Sequence, residues 1–95
     1  MADDTRFDWD EANIGHIARH SVTQEEVEEV FLNDQMDIDF EIVNGEDRWT
    51  GIGHTNAFRV LMVVWTMRGD RIRPITARLA AKGYRDAYLE TKREN

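Results

Sequence analysis

From Met36 the chain alternates. The stretch MDIDFEIV sets apolar Met36, Ile38, Phe40 and Ile42 against acidic Asp37, Asp39 and Glu41. Only an extended strand turns a period of two into one apolar and one charged face, so this segment predicts a half-buried strand. Asn44-Gly45 follows at once, the strongest short signal for a two-residue hairpin, and RWTGIGH is the strand it returns. The run FRVLMVVWTM, residues 58–67, is apolar almost throughout, as a central strand covered on both faces should be. Arg68-Gly69-Asp70 then turns the chain into RIRPITA, whose Pro74 has no N–H to give a ladder. The fourth strand is therefore an edge, or is bulged at Pro74.

Before Met36 the period is helical. DEANIGHIAR, residues 10–19, places Ile14, Ile17 and Ala18 at i, i+3 and i+4, with Asp8 or Asp10 as the cap. Thr23 and Glu26 have capping-box spacing, and Val27, Val30 and Phe31 continue a second helix to about Leu32. After the strands, a last helix from Leu79 aligns Ala80, Tyr84, Ala87 and Tyr88 in one stripe, weakened at Gly83. The expected fold class is α+β: two N-terminal helices, a four-stranded antiparallel meander and a C-terminal helix, in one domain spanning residues 1–95. A chain of 95 residues has buried area for only one core.

Cysteine is absent, which removes disulfides and thiolate zinc sites. The acidic start, Met1-Ala2-Asp3-Asp4, is unlike a signal peptide, and no apolar run is long enough to span a bilayer. The expected location is the cytoplasm, with no membrane partner. Charge is unevenly divided: residues 1–47 hold 15 acidic and 2 basic side chains, whereas residues 48–95 hold 4 acidic and 10 basic, so −13 and +6 make the net −7. Five arginines, Lys82 and two tyrosines crowd into residues 68–88. An acidic total repels nucleic acid, but a basic face acts over about one Debye length, ~10 Å, and stands ready for an acidic partner.

Arg71 and Arg73 lie two apart and share a strand face if Pro74 does not twist it, with Arg78 near enough to reach over the same edge. Arginine forks grip phosphate oxygens and stay protonated; the competing reading is a solvated edge or ion pairs with the acidic half. Lys82 and Arg85 suit attraction of RNA or a protein partner. Arg48 beside Trp49 suggests a phosphate grip next to a stacking ring, although such a tryptophan also covers sheet ends. An unperturbed imidazole titrates near the working pH, which makes His20 a candidate general base. Asn13, Ile17 and His20 nevertheless follow a core-like stripe, which favours a hydrogen-bonded structural histidine. Tyr88 has the same ambiguity between acid and core aromatic, whereas Trp9 and Trp65 read as core or helix-docking residues. His16 and His20 are i, i+4, but Ile17 stands where a zinc-peptidase helix needs glutamate and only His54 remains as a further histidine, so no metal site is expected. Arg68-Gly69-Asp70 is a hairpin turn, not an adhesion signal.

In order and spacing, FDWDEANIGHIARHSVTQEEVEEVF followed by MRGDRIRPITAR resembles the BrnT family of bacterial toxins, the ribonuclease halves of type II toxin–antitoxin pairs. The resemblance runs from Phe7 to about Tyr88. It implies a RelE/ParE-like fold and RNA cleavage without metal or cofactor. It further implies neutralisation by a BrnA-like ribbon-helix-helix antitoxin, with DNA reached only through that antitoxin. By position it assigns Arg73 and Arg78 to the family's arginine-rich strand and helix entry, and places Thr76 where serine is frequent. It sets His20 at the family's histidine before a small turn, and likens Tyr88 to the acid of related sites. Two other classes stay open: a catalytically silent binding module or co-repressor on the same fold and, by fold analogy alone, a gyrase inhibitor.

Overall fold

The computed structural model describes residues 6–93. Two helices, α1 (Glu11–Ala18) and α2 (Gln24–Leu32), precede four strands, β1 (Met36–Val43), β2 (Glu46–His54), β3 (Val60–Arg68) and β4 (Arg71–Leu79), and α3 (Lys82–Arg93) follows. The strands form one antiparallel sheet in the order β1-β2-β3-β4. The α+β meander expected from the sequence is the observed architecture.

Local chemistry explains the element ends. Asp10 caps α1, accepting from the Ala12 and Asn13 N–H groups, while the Asn13 side chain accepts from the Asp10 N–H. Thr23 and Glu26 form the reciprocal box at α2. Asn44 and Gly45 both take positive φ, 51° and 78°, which is the type I′ geometry that matches strand twist. Two boundaries move: β3 begins at Val60, leaving Phe58 exposed with positive φ (62°) in the turn before it, and Leu79 belongs to β4, so the last helix begins at Lys82.

Ile17, Val22, Val27 and Val30 bury against Leu61, Val63, Trp65 and Ala77, forming the main core between α1, α2 and one sheet face. Phe31 meets Trp65 edge-on at 4.9 Å, and Trp9 donates to Glu28 at 2.9 Å, so both tryptophans dock helices as expected. Gly51 and Gly53 let the α2–β1 connection run close over the sheet. A Cβ on Gly53 would stand 2.8 Å from Val30 Cγ1 and 3.3 Å from the Gln35 Cα.

Pro74 produces both predicted effects. β4 is the sheet edge, and its register slips opposite Val64 and Trp65, leaving Ile75 as a bulge. The edge is partly closed by the N-terminal segment: Phe7 bridges Ile72 in parallel, Ile72 N–H donates to the Arg6 carbonyl at 2.7 Å, and Asp8 N–H to the Ile72 carbonyl at 2.8 Å.

The burial expected of β1 is overturned. Its alternate apolar residues are exposed: Met36 37%, Ile38 39%, Phe40 49% and Ile42 65%. Two causes act together. A bulge between Asp37 and Asp39 breaks the alternation, so Met36 pairs with Ile52 on one face while Phe40 pairs with Trp49 on the other. In addition, α1 packs on β4 and α2 on β2 and β3, which leaves β1 overhanging the helix layer.

Gly53→Ala should destabilise the fold by about 1–3 kcal/mol, since neither the Val30 side chain nor the Gln35 backbone can move away freely. A lowered thermal midpoint with unchanged folded-state circular dichroism is the expected result.

Candidate active site

The register sorts the second sheet face. Trp49, Trp65, Val63 and Ala77 point to the helices, so their neighbours Thr50, Val64, Thr76, Met62 and Arg78 point the other way. Across the Ile75 bulge, Arg73 (opposite Thr66) and Arg71 (opposite Arg68) rejoin that same face. The bulge thus performs what the two-residue spacing alone did not guarantee: Arg71, Arg73, Thr76 and Arg78 share one face. Helix α3 covers only one end of it, where Tyr88 buries against Ile52 and Val60.

Two cavities occupy the remaining open face. The larger, about 400 Å³, is lined by Thr50, Val64, Thr76 and Arg78 with Met62, Ile38, Asp39 and Tyr84. It combines a guanidinium, a carboxylate, a phenol and two hydroxyls. Asp39 is steadied by the Phe40 N–H, which donates to its carboxylate at 2.8 Å. The smaller cavity, about 260 Å³, lies at the hairpin end and brings together Arg48, Arg68, Arg73, Glu46 and His16. Such a concentration of guanidinium groups suits phosphate.

Several of these arginines are already paired. Arg73 grips Asp10 (3.1 Å) and Asp8 (3.6 Å), while Glu46 holds Arg48 (3.1 Å) and Arg68 (3.6 Å). The Arg73 hydrogen bond, then that from the Asn13 N–H, holds the Asp10 carboxyl below its ordinary range. Arg71 and Arg78 are exposed and have no carboxylate within ion-pair distance among the described residues. Lys82 and Arg85 both turn to Asp86 on α3, at 2.5 Å and 3.7 Å, and line neither cavity.

Two expectations change, and one ambiguity resolves. His20 is exposed in the turn after α1 and is not a hydrogen-bonded core histidine; His16, one turn earlier, lines the arginine cavity, with the two rings 5.9 Å apart. Trp49 turns away from Arg48, since neighbours in a strand face opposite ways, and packs between Phe40 (5.4 Å) and Trp65 (6.3 Å) on the helix side. Tyr88 is buried, as its core reading required, and its hydroxyl lies 2.7 Å from His54 Nδ1. Tyr84, one helical turn earlier, is the tyrosine beside Arg78 and Thr76. Asp39 and Thr50 carried no motif that marks them as site residues; only strand pairing brings them to Arg78.

Burial pulls the His54 imidazole below its ordinary value, with help from the Lys92 charge, and burial raises Tyr88. Both shifts favour the uncharged forms, so near neutral pH the pair is a neutral imidazole and a phenol sharing one hydrogen bond. Lys92 also sits over the Tyr88 ring at 5.7 Å.

The sequence from residue 9 to residue 83 matches the family described as the ribonuclease toxin BrnT of type II toxin–antitoxin systems. The chain belongs to the BrnT family. No curated protein matches it. As a type II ribonuclease toxin it has a cognate antitoxin as partner and RNA as substrate. The matched region contains every arginine of both cavities and ends just after α3 begins, so the His54–Tyr88 clasp joins the matched region to a helix that lies almost wholly beyond it. Among the described residues no helix is long and apolar enough to cross a membrane.

Two outcomes follow. Because His54 is depressed in the folded state, the unfolded chain takes up its proton first as pH falls. The clasp's contribution is complete above about 6.5 and declines as pH drops through that value towards the lower folded one. Thermal midpoints measured from pH 7.5 to 5 should fall more steeply for the native chain than for His54→Asn. Separately, Asp10→Asn combined with Asp8→Asn keeps a capping side chain but releases Arg73. RNA binding should tighten, and its salt slope should steepen by roughly 1 for the added phosphate contact, as read by filter binding against salt.

Proposed function

We propose that this toxin cleaves RNA at the open sheet face without a metal ion, and that a BrnA-like ribbon-helix-helix antitoxin neutralises it. The reading includes action in the cytoplasm and contact with DNA only through the antitoxin. The observation that carries it is the joining of Thr76, Arg78, Asp39 and Tyr84 around one cavity, beside a second cavity holding Arg48, Arg68 and Arg73. The RNA backbone lies along both, its phosphates drawn by the arginine cavity.

At the scissile phosphate, Asp39 takes the proton of the 2′-hydroxyl as the 2′-oxygen bonds to phosphorus. Arg78 and Thr76 hold the non-bridging oxygens as they gain charge. The bond to the 5′-oxygen breaks, and Tyr84 supplies the proton that this oxygen needs. The products are a 2′,3′-cyclic phosphate and a 5′-hydroxyl. The attacking group belongs to the substrate, so the protein needs only a base, an acid and positioned positive charge. Arg71 and Arg73 extend the backbone grip. His20, Lys82 and Arg85 stand outside both cavities and have no assigned step.

Cleavage of purified RNA in chelator, compared with Arg73→Ala/Arg78→Ala, tests this. The native chain should cut and leave cyclic-phosphate ends, and the double variant should lose at least about 10²-fold, the usual cost of removing charge stabilisation from a transition state. Cleavage that requires an added divalent ion would reject the proposed chemistry. A folded native chain that cuts nothing would favour the silent binding module.

A further inference from the structure

Strand β1 is unusual on three counts. It is the free edge of the sheet, opposite the edge that the Phe7 segment partly closes. It overhangs the helix layer, so Phe40 and Ile42 stand exposed on that face, while Met36 and Ile38, beyond the bulge, are partly exposed on the other. Between them lie Asp37, Asp39 and Glu41, and no ion pair engages these three carboxylates among the described residues. A free edge is ordinarily blunted by charge. Charge alone would suffice for that purpose, and the exposed Ile38, Phe40 and Ile42 work against it.

We infer that the β1 edge is the docking strand for an extended segment of the cognate antitoxin, one that alternates basic and β-branched apolar residues. This rests on the toxin reading for the partner's existence, but not on any step of RNA cleavage. Main-chain hydrogen bonds would extend the sheet, and alternate side chains would give specificity. The partner's apolar residues would cover Phe40 and Ile42 beside Trp49, replacing the missing part of the helix layer; its lysines or arginines would meet Asp39 and Glu41 on the opposite face. Charge also decides against a second copy of this chain. An antiparallel self-pair centred on Phe40 sets Asp39 opposite Glu41 twice, and like charges directly opposite are destabilising. Ile38 and Asp39 line the larger cavity as well, so a strand added here stands at the mouth of the RNA site, and neutralisation by obstruction follows from the geometry.

The test uses the full chain, labelled for amide NMR, and a synthetic ten-residue peptide alternating lysine with valine or isoleucine. A second peptide carries glutamate in place of each lysine. The expected result is saturable binding of the basic peptide with shifts concentrated in residues 36–43, weakened at least about tenfold by Ile42→Lys and by Glu41→Lys, and little binding of the acidic peptide. Both substitutions are at exposed positions, and the amide spectrum itself reports whether each variant is folded. Shifts centred on the arginine cavities, equal binding of the two peptides, or no saturable binding would each overturn the inference. RNA cleavage by the same Ile42→Lys and Glu41→Lys proteins is followed in parallel. Its loss, or its absence in the native chain, bears on the cleavage reading and leaves the peptide result to stand or fall alone.

Discussion

Asn13 ties the molecule together at its most demanding point. Its buried side chain accepts from the Asp10 N–H at 2.8 Å and donates to the carbonyls of Asp8 and Pro74, both at 2.9 Å. One amide thereby joins the N-terminal segment, the start of α1 and the bulged stretch of β4. A buried amide must satisfy its donors and acceptor, and here doing so fixes where α1 lies against the sheet. That in turn delivers Asp8 and Asp10 to Arg73 and His16 to the arginine cavity. The charged face is positioned by a neutral hydrogen-bond network, which salt does not screen.

The Pro74 bulge is the complementary device. Proline cannot give the ladder its N–H, and the strand answers by slipping one residue at Ile75. Without the slip, Arg71 and Arg73 would stand on the face opposite Thr76 and Arg78. With it, all four share one surface, and β4 becomes a row of phosphate-seeking groups. A second bulge, in β1, works on the other side of the cavity by bringing Asp39 to the Thr50 row. Two local irregularities, one on each edge strand, therefore shape the cavity between them. This agrees with the tendency of bulges to re-aim side chains beside functional sites.

The uneven charge of the chain gains a spatial meaning from this arrangement. The basic half supplies the open sheet face, and part of the acidic half is folded back onto it: Asp8, Asp10 and Glu46 occupy Arg73, Arg48 and Arg68. These partly exposed pairs contribute little to stability, yet they set what RNA phosphate must displace. Of the other acidic residues, Glu25, Glu26, Glu28 and Glu29 lie on α2, and Asp37, Asp39 and Glu41 lie along the β1 edge. A net charge of −7 is therefore compatible with an RNA-cutting family, because arginines concentrate in the two cavities while much of the acidic charge lies on α2.

What the sequence determined by itself was everything governed by near neighbours. Thr23 with Glu26 announces α2, Asn44-Gly45 announces the hairpin, and the period changing at Met36 announces the sheet, because caps, turns and strand alternation depend on residues only a few positions apart. The order of motifs also carried the family. Tertiary structure decided which faces are covered and which side chains meet. The alternation in MDIDFEIV says that one face is apolar, but not that the helices stop short of β1 or that a bulge divides its residues between two faces. His16 and His20, or Tyr84 and Tyr88, sit one helical turn apart and read alike in the sequence. Only the packing of α1 on β4 and of α3 on Ile52 and Val60 selects His16 and Tyr84 for the cavities and commits Tyr88 to His54. Burial is a property of what lies opposite a residue, and what lies opposite comes from parts of the chain too distant for local spacing to reveal.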